Sequence, residues 1–140
     1  MIVLDTNVLS ELMRPSPEPK VLAWFALRPI AGLFTTPLTQ AEIFYGLVLL
    51  PEGRRRDGLM AAARTIFEVE MAGRVLPFDG DAAAAYPEIA IGRRKAGQPI
   101  GPIDGQIAAI ARSRGSRLAT RNVRDFTGCG ITVIDPWTVA

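Results

Sequence analysis

The chain contains no histidine. That single absence removes Ser-His-Asp triads, Cys-His dyads and histidine-based metal sites together. Any chemistry must run on carboxylates, hydroxyls, Arg, Lys, backbone groups or a bound ion. Cysteine is nearly absent as well. Cys129 stands alone, so no internal disulfide can staple the fold, and a reducing cytoplasm is the expected setting. Long apolar runs are missing. No segment offers the ~20 apolar residues of a spanning helix, and Met1 leads into Ile2-Val3-Leu4-Asp5 without the basic stretch of a signal peptide. No membrane attachment is expected. Lysine is scarce: of 16 cationic side chains only Lys20 and Lys95 are lysines. Arginine grips phosphate oxygens bidentately, although GC-rich coding produces the same bias.

What is present suits one globular domain over residues 1–140. A chain near 150 residues buries roughly 68–70% of its unfolded surface. Hydrophobic residues make up 49% and charged residues 21% of the chain, and the net charge is only +2. The mean hydropathy of +0.20 leaves room for an apolar partner surface.

Short apolar segments alternate with helical ones. Ile2-Val3-Leu4 reads as a buried strand and Val8–Met13 as the helix after it. A second helix spans Lys20–Leu27. Leu33–Thr36 reads as a second strand, followed by a helix that Thr36 caps and Pro37 opens, running to about Leu50. Arg54–Ala72 is amphipathic. Val75–Phe78 is expected as a third strand. Asp79–Ala96 is expected as a helix bent near Pro87, and Gly101-Pro102-Ile103-Asp104 opens another. Arg117–Thr120 and Ile131–Ile134 read as the last strands. The alternation argues for an α/β fold, with a mainly parallel sheet covered on both faces. In such sheets ligands sit beyond the carboxyl ends of the strands.

Most acids need no explanation: Glu52, Asp57, Glu68, Glu70 and Glu88 lie among polar residues and are expected to be solvated. Four others are oddly placed. Asp5 follows the first strand directly, where it could also cap the next helix. Glu42 shares a helical face with Leu38, Tyr45, Gly46 and Leu49, an apolar setting that demands a partner for a carboxylate. Asp104 heads a helix whose same face carries Ile107, Ala108 and Ala111. Asp125 follows a strand in Thr120-Arg121-Asn122-Val123-Arg124-Asp125-Phe126. With right-handed crossovers all four fall at the ligand edge of the sheet. Converging carboxylates repel one another, and a cation is the natural neutraliser. Oxygen ligands without His or Cys favour Mg²⁺, Mn²⁺ or Ca²⁺ over zinc.

These segments, with the closing Val133-Ile134-Asp135-Pro136-Trp137, resemble the PIN-domain family along essentially the whole chain. The likeness is nearest to VapC-type toxins, the subgroup that includes FitB-like proteins. The resemblance implies an α/β/α sandwich and a Mg²⁺-dependent (or Mn²⁺-dependent) endoribonuclease. It implies Asp5 and Asp104 as principal metal ligands. Glu42 and Asp125 would complete the pocket directly or through water, and Asn7 and Thr120 would support it by hydrogen bonds. It further implies a homodimer, and a VapB-type antitoxin whose tail crosses a hydrophobic groove and sends an Arg into the acidic pocket, in a complex that can be larger still. Arg93, Arg94, Lys95, Arg121 and Arg124 are candidate RNA contacts; the alternative is a solvated basic helix end. The aromatics Trp24, Phe25, Phe44, Tyr45 and Phe67 are expected mostly in the core.

Three rivals remain at this point. A haloacid-dehalogenase-type phosphatase would want a second Asp where Asn7 stands. A receiver domain would want paired early acids and a late Lys. A non-catalytic module would bind RNA or a repressor with the same fold.

Overall fold

The computed structural model describes residues 1–138. Its centre is an all-parallel sheet of four strands, β1 (Ile2–Leu4), β2 (Leu33–Phe34), β3 (Arg117–Ala119) and β4 (Val133–Ile134), in the order β2-β1-β3-β4. Val3 pairs with Phe34 on one side and Leu118 on the other. Strand alternation splits the core in two. Ile2 and Leu4 pack with Val8, Leu9, Trp24, Ile43 and Phe67 on one face. Val3 packs with Ile89, Ile107, Ile110 and Phe126 on the other.

Helices α1 (Thr6–Leu12), α2 (Pro19–Ala26), α3 (Pro37–Val48) and α4 (Arg54–Thr65) cover the first face, and α5 (Gly80–Lys95) and α6 (Pro102–Ser113) the second. Their starts follow local chemistry. Thr36 caps α3 by accepting from the Thr39 N–H at 3.2 Å, with Pro37 in the first turn. Asp79 caps α5 by accepting from the Ala82 N–H at 3.0 Å. At Gly105 a Cβ would lie 2.8 Å from the Tyr86 ring, so glycine there lets α6 close onto α5. That contact fixes the helix that presents Asp104.

Two expectations need correction. The third strand, Val75–Phe78, reduces to a single parallel bridge between Thr35 and Val75, held by Thr35 N–H to Arg74 O (3.0 Å) and Leu76 N–H to Thr35 O (2.8 Å). Pro77 has no N–H to extend the ladder, and Asp79 at once begins a helix. The long helix expected to reach Ala72 stops at Thr65 and continues as a π turn over Ile66–Glu70. The wider turn brings the consecutive Ile66 and Phe67 into the same core as Met71. Helix α5, over Gly80–Lys95, falls within the expected span, with the exposed Pro87 inside it. Glu52, Asp57, Glu68, Glu70 and Glu88 are all exposed, as read from the sequence. No helix among the described residues is long and apolar enough to cross a membrane.

Candidate active site

Asp5 leaves β1 in register, its N–H reaching Ala119 O at 2.9 Å. It is only 4% exposed. Its Oδ1 accepts from the Thr6 N–H at 2.8 Å, which caps α1. Its Oδ2 accepts from Thr120 Oγ1 at 2.8 Å and from Asn7 Nδ2 at 3.3 Å. Asn7 Nδ2 also reaches Thr120 Oγ1 at 3.2 Å, and Asn7 Oδ1 accepts from the Arg121 N–H at 3.0 Å. Thr120 Oγ1 accepts in turn from the Asn122 N–H at 3.1 Å. The end of β1 and the end of β3 are thus tied through one carboxylate. Burial pushes the Asp5 carboxyl above the usual range, and the Glu42 charge adds to it, against the lowering effect of the Thr120, Thr6 and Asn7 hydrogen bonds.

Glu42 is half-buried and accepts a short hydrogen bond, 2.6 Å, from Thr6 Oγ1. The buried Thr39 hydroxyl lies 3.3 Å from Thr6 Oγ1. The expected apolar face around Glu42 is not the core face. Tyr45 and Leu49 are each 70% exposed, and Thr39, Ile43 and Leu47 form the buried side of α3. The core stripe is rotated by one residue relative to Glu42, leaving that carboxylate at the boundary between core and solvent. Four of the five aromatics named above pack in or against the core, and Tyr45 is the exception.

Asp104 lies half-buried in the first turn of α6. Its carboxyl is pushed up to about 6, first by burial and then by the charges of Asp5, Glu42 and Asp125. Asp125 is exposed, on a 3₁₀ turn over Val123–Phe126 anchored by the buried Phe126. The four acids singled out in the sequence therefore stand in one electrostatic neighbourhood. The ion pairs among the described residues are Arg14–Glu11, Arg112–Glu88 and Arg114–Asp79, and none neutralises it. Among the described residues no three His, Cys, Asp or Glu side chains stand close enough together to hold a metal ion as they are placed. The four acids offer an all-oxygen donor set, the kind a hard cation such as Mg²⁺ takes while keeping several waters. That set does not suit a structural zinc site.

The basic candidates divide. Arg94, Lys95, Arg121 and Arg124 are exposed, and Arg121 lies over the Trp137 ring at 5.0 Å. Arg93 is 6% exposed and cannot track a substrate backbone. Its guanidinium donates to Thr127 O at 2.7 Å and Arg124 O at 3.3 Å, clamping the turn that carries Asp125. A run of three cations at a helix end reads as one patch in sequence, but helical geometry turns its first member inward.

Sequence reasoning missed three residues. Thr6 and Thr39 position Glu42, and the buried Glu11 accepts from Arg14 at 3.1 and 3.2 Å and from the Glu18 N–H at 3.0 Å. Thr6 sits within the Asp5-Thr6-Asn7 signature, but its partner is 36 residues away.

The raised Asp104 carboxyl has a consequence for stability. The folded chain holds this proton more tightly than the unfolded chain, whose value is near 3.8. The associated stability is full below about pH 4 and is lost as pH rises through about 6. For a half-exposed group the loss amounts to roughly 1–2 kcal/mol after solvent screening. Urea unfolding of metal-free protein should show stability falling between pH 4 and pH 7, with Mg²⁺ or Mn²⁺ restoring it at pH 7. A flat profile, or one unaffected by either ion, would contradict this.

The chain is similar to known proteins along its whole length. The PIN domain family model matches residues 2–127. The VapC ribonuclease Y4jK of Sinorhizobium fredii is 41% identical over 140 residues, covering 100% of both chains. The toxin FitB of Neisseria gonorrhoeae is 36% identical over 137 residues, 98% of this chain and 99% of its own. Among solved structures, that of FitAB bound to an IR36 DNA fragment superposes with a TM-score of 0.93 at 35% identity, covering 100% of this chain and 98% of that one.

Proposed function

Because the chain belongs to the PIN-domain family, we propose that it is a Mg²⁺-dependent endoribonuclease that works in the cytoplasm as the toxin of a VapBC-type toxin–antitoxin pair. The observation that carries the reading is the cluster of Asp5, Glu42, Asp104 and Asp125. Burial, and then three of these charges, hold the fourth carboxyl near 6, and no cation among the described residues pairs with any of them. An arrangement that costs stability and is left uncompensated is the signature of a site built for something else. The ribonuclease and toxin names of relatives aligned over the full chain support the same reading.

Asp5 and Asp104 are the residues that would hold the ion, with Glu42 and Asp125 completing the shell directly or through water. A bound Mg²⁺ would supply charge neutralisation at the phosphate and a lowered pKa for its water. Thr120 and Asn7 fix Asp5 so that its carboxylate cannot rotate away. Thr6 does the same for Glu42. The raised Asp104 carboxyl accepts a proton readily near neutral pH when no ion is bound.

Two apolar surfaces support the expected partners. Tyr45, Val48 and Leu49 are exposed along α3, a face suited to a second copy of the chain. A groove of about 370 Å³ lined by Leu9, Leu12, Phe25, Ile66 and Met71 suits the tail of an antitoxin.

The test is cleavage of a structured RNA pool by antitoxin-free protein. Cutting is expected with Mg²⁺ or Mn²⁺ and none in EDTA. Expression should be toxic, and Asp5→Asn should relieve the toxicity. Folded protein that neither cuts RNA nor harms the cell would leave the non-catalytic binding module as the better account.

A further inference from the structure

Beside the acidic cluster lies a cavity of about 560 Å³ walled by α1, α3 and α4. Its size falls within the ~300–1,000 Å³ of sites that take nucleotide-sized molecules. Thr6 and Glu42 line it, so one carboxylate of the cluster forms part of its wall. Met13, Ile43, Leu47 and Leu59 give it an apolar wall, and Arg14, Arg54 and Arg55 give it a cationic border. Arg14 is paired with Glu11 at 3.1 Å. Arg54 and Arg55 have no acidic partner among the described residues. They stand in the first turn of α4, where the positive end of the helix adds to their charge.

Two glycines sharpen the picture. Gly46 in α3 and Gly58 in α4 both line the cavity. Each weakens its helix relative to alanine. A Cβ at either would meet no protein atom within 4 Å, so helix packing does not require them. Their bare backbones leave the cavity open.

We propose that this cavity is a nucleotide subsite. It takes one unpaired base of an RNA strand beside the scissile phosphate, while Arg54 and Arg55 hold the adjoining phosphates. The assignment of the neighbouring bond as scissile rests on the nuclease reading; the binding does not. A base held in a duplex cannot enter, so the subsite selects loops and single strands. The border charges favour a polyanion over a peptide. The second groove, around Phe25 and Met71, has Glu70 as its one charged lining residue and suits a peptide better.

Fluorescence anisotropy tests the idea, using antitoxin-free protein that carries Asp104→Asn to prevent cutting. The probes are a short single-stranded RNA and the same strand annealed to its complement. The single strand should bind more tightly than the duplex. The double variant Arg54→Glu/Arg55→Glu should weaken single-strand binding by about 10-fold or more and lower the log–log salt slope by about 1.4, since each phosphate contact contributes about 0.7. Gly58→Leu fills the cavity and should weaken binding by about 5-fold or more through loss of the base contact. Its Tm should hold or rise because a helical glycine is removed, a combination that misfolding does not produce.

Unchanged affinity in both variants overturns the proposal, as does equal loss on duplex RNA or no binding of single strands by the parent. Variants that bind RNA normally yet no longer hold the antitoxin assign the cavity to a peptide and also overturn it. Cavity-dependent binding by a chain that never cuts RNA with Mg²⁺ or Mn²⁺ leaves the subsite standing and removes the nuclease reading instead.

Discussion

Asp104→Asn should lower metal-dependent RNA cleavage by about 10²–10³-fold while making the metal-free protein more stable at pH 7. The two effects have one origin. Asp104 is half-buried beside Asp5, Glu42 and Asp125, and its carboxyl is held near 6 by burial and by their charges. At pH 7 the folded state must carry a charge it disfavours. Asparagine keeps the shape and removes the charge, so the repulsion disappears and stability should rise by roughly 1–2 kcal/mol. The same change deletes an anionic oxygen from the ligand set and weakens charge neutralisation at the phosphate, where losses of about 10²–10³ are usual for a single stabilising group. Stabilisation by added Mg²⁺ should fall with it. Urea unfolding and single-turnover cleavage on one preparation check both signs. A variant keeping more than a tenth of the activity would place the ion elsewhere.

Thr120→Val is the second large effect, and it acts through Asp5. The swap preserves volume but removes a hydroxyl that donates to Asp5 Oδ2 at 2.8 Å and accepts from the Asn122 N–H at 3.1 Å. Thr120 is fully buried and Asp5 is 4% exposed, so the Asp5 oxygen left without this donor cannot turn to water, and the cost should be about 1–3 kcal/mol of stability. Groups that orient a metal-binding carboxylate typically matter by about 10–100-fold in affinity or activity, and a loss of that size is expected here. A structural role alone would lower Tm and leave metal affinity intact. A Mn²⁺ dissociation constant within about twofold of the parent would therefore reduce Thr120 to a packing residue, whereas Thr120→Ser should restore binding.

Much of the site was legible before any coordinates. Each of Asp5, Asp104 and Asp125 announces its place by what precedes it in the chain: a buried strand, a Pro at a helix start, a strand ending in Thr120. The lack of histidine left carboxylates, hydroxyls, Arg, Lys, backbone groups or a bound ion to carry any chemistry. Thr36 and Pro37 marked the start of α3, and Ile2-Val3-Leu4 read as the buried strand that it is. These signals are local, carried by residues within a few positions of one another.

The tertiary structure decided what depends on distant partners. It turned Arg93 inward onto the carbonyls of residues 124 and 127 and left Arg94 and Lys95 outside. It set Glu42 at the core boundary, where the Thr6 hydroxyl could reach it. It reduced the 75–78 segment to a bridge, because Pro77 and the neighbouring strand edge together end the ladder. It brought Arg54 and Arg55 beside Glu42 around one cavity, although nothing in their own segment points there. Periodicity, caps and turn residues report which way a side chain leaves its own element. The group it meets is set by how elements from remote parts of the chain pack, and that is fixed only when the whole core closes.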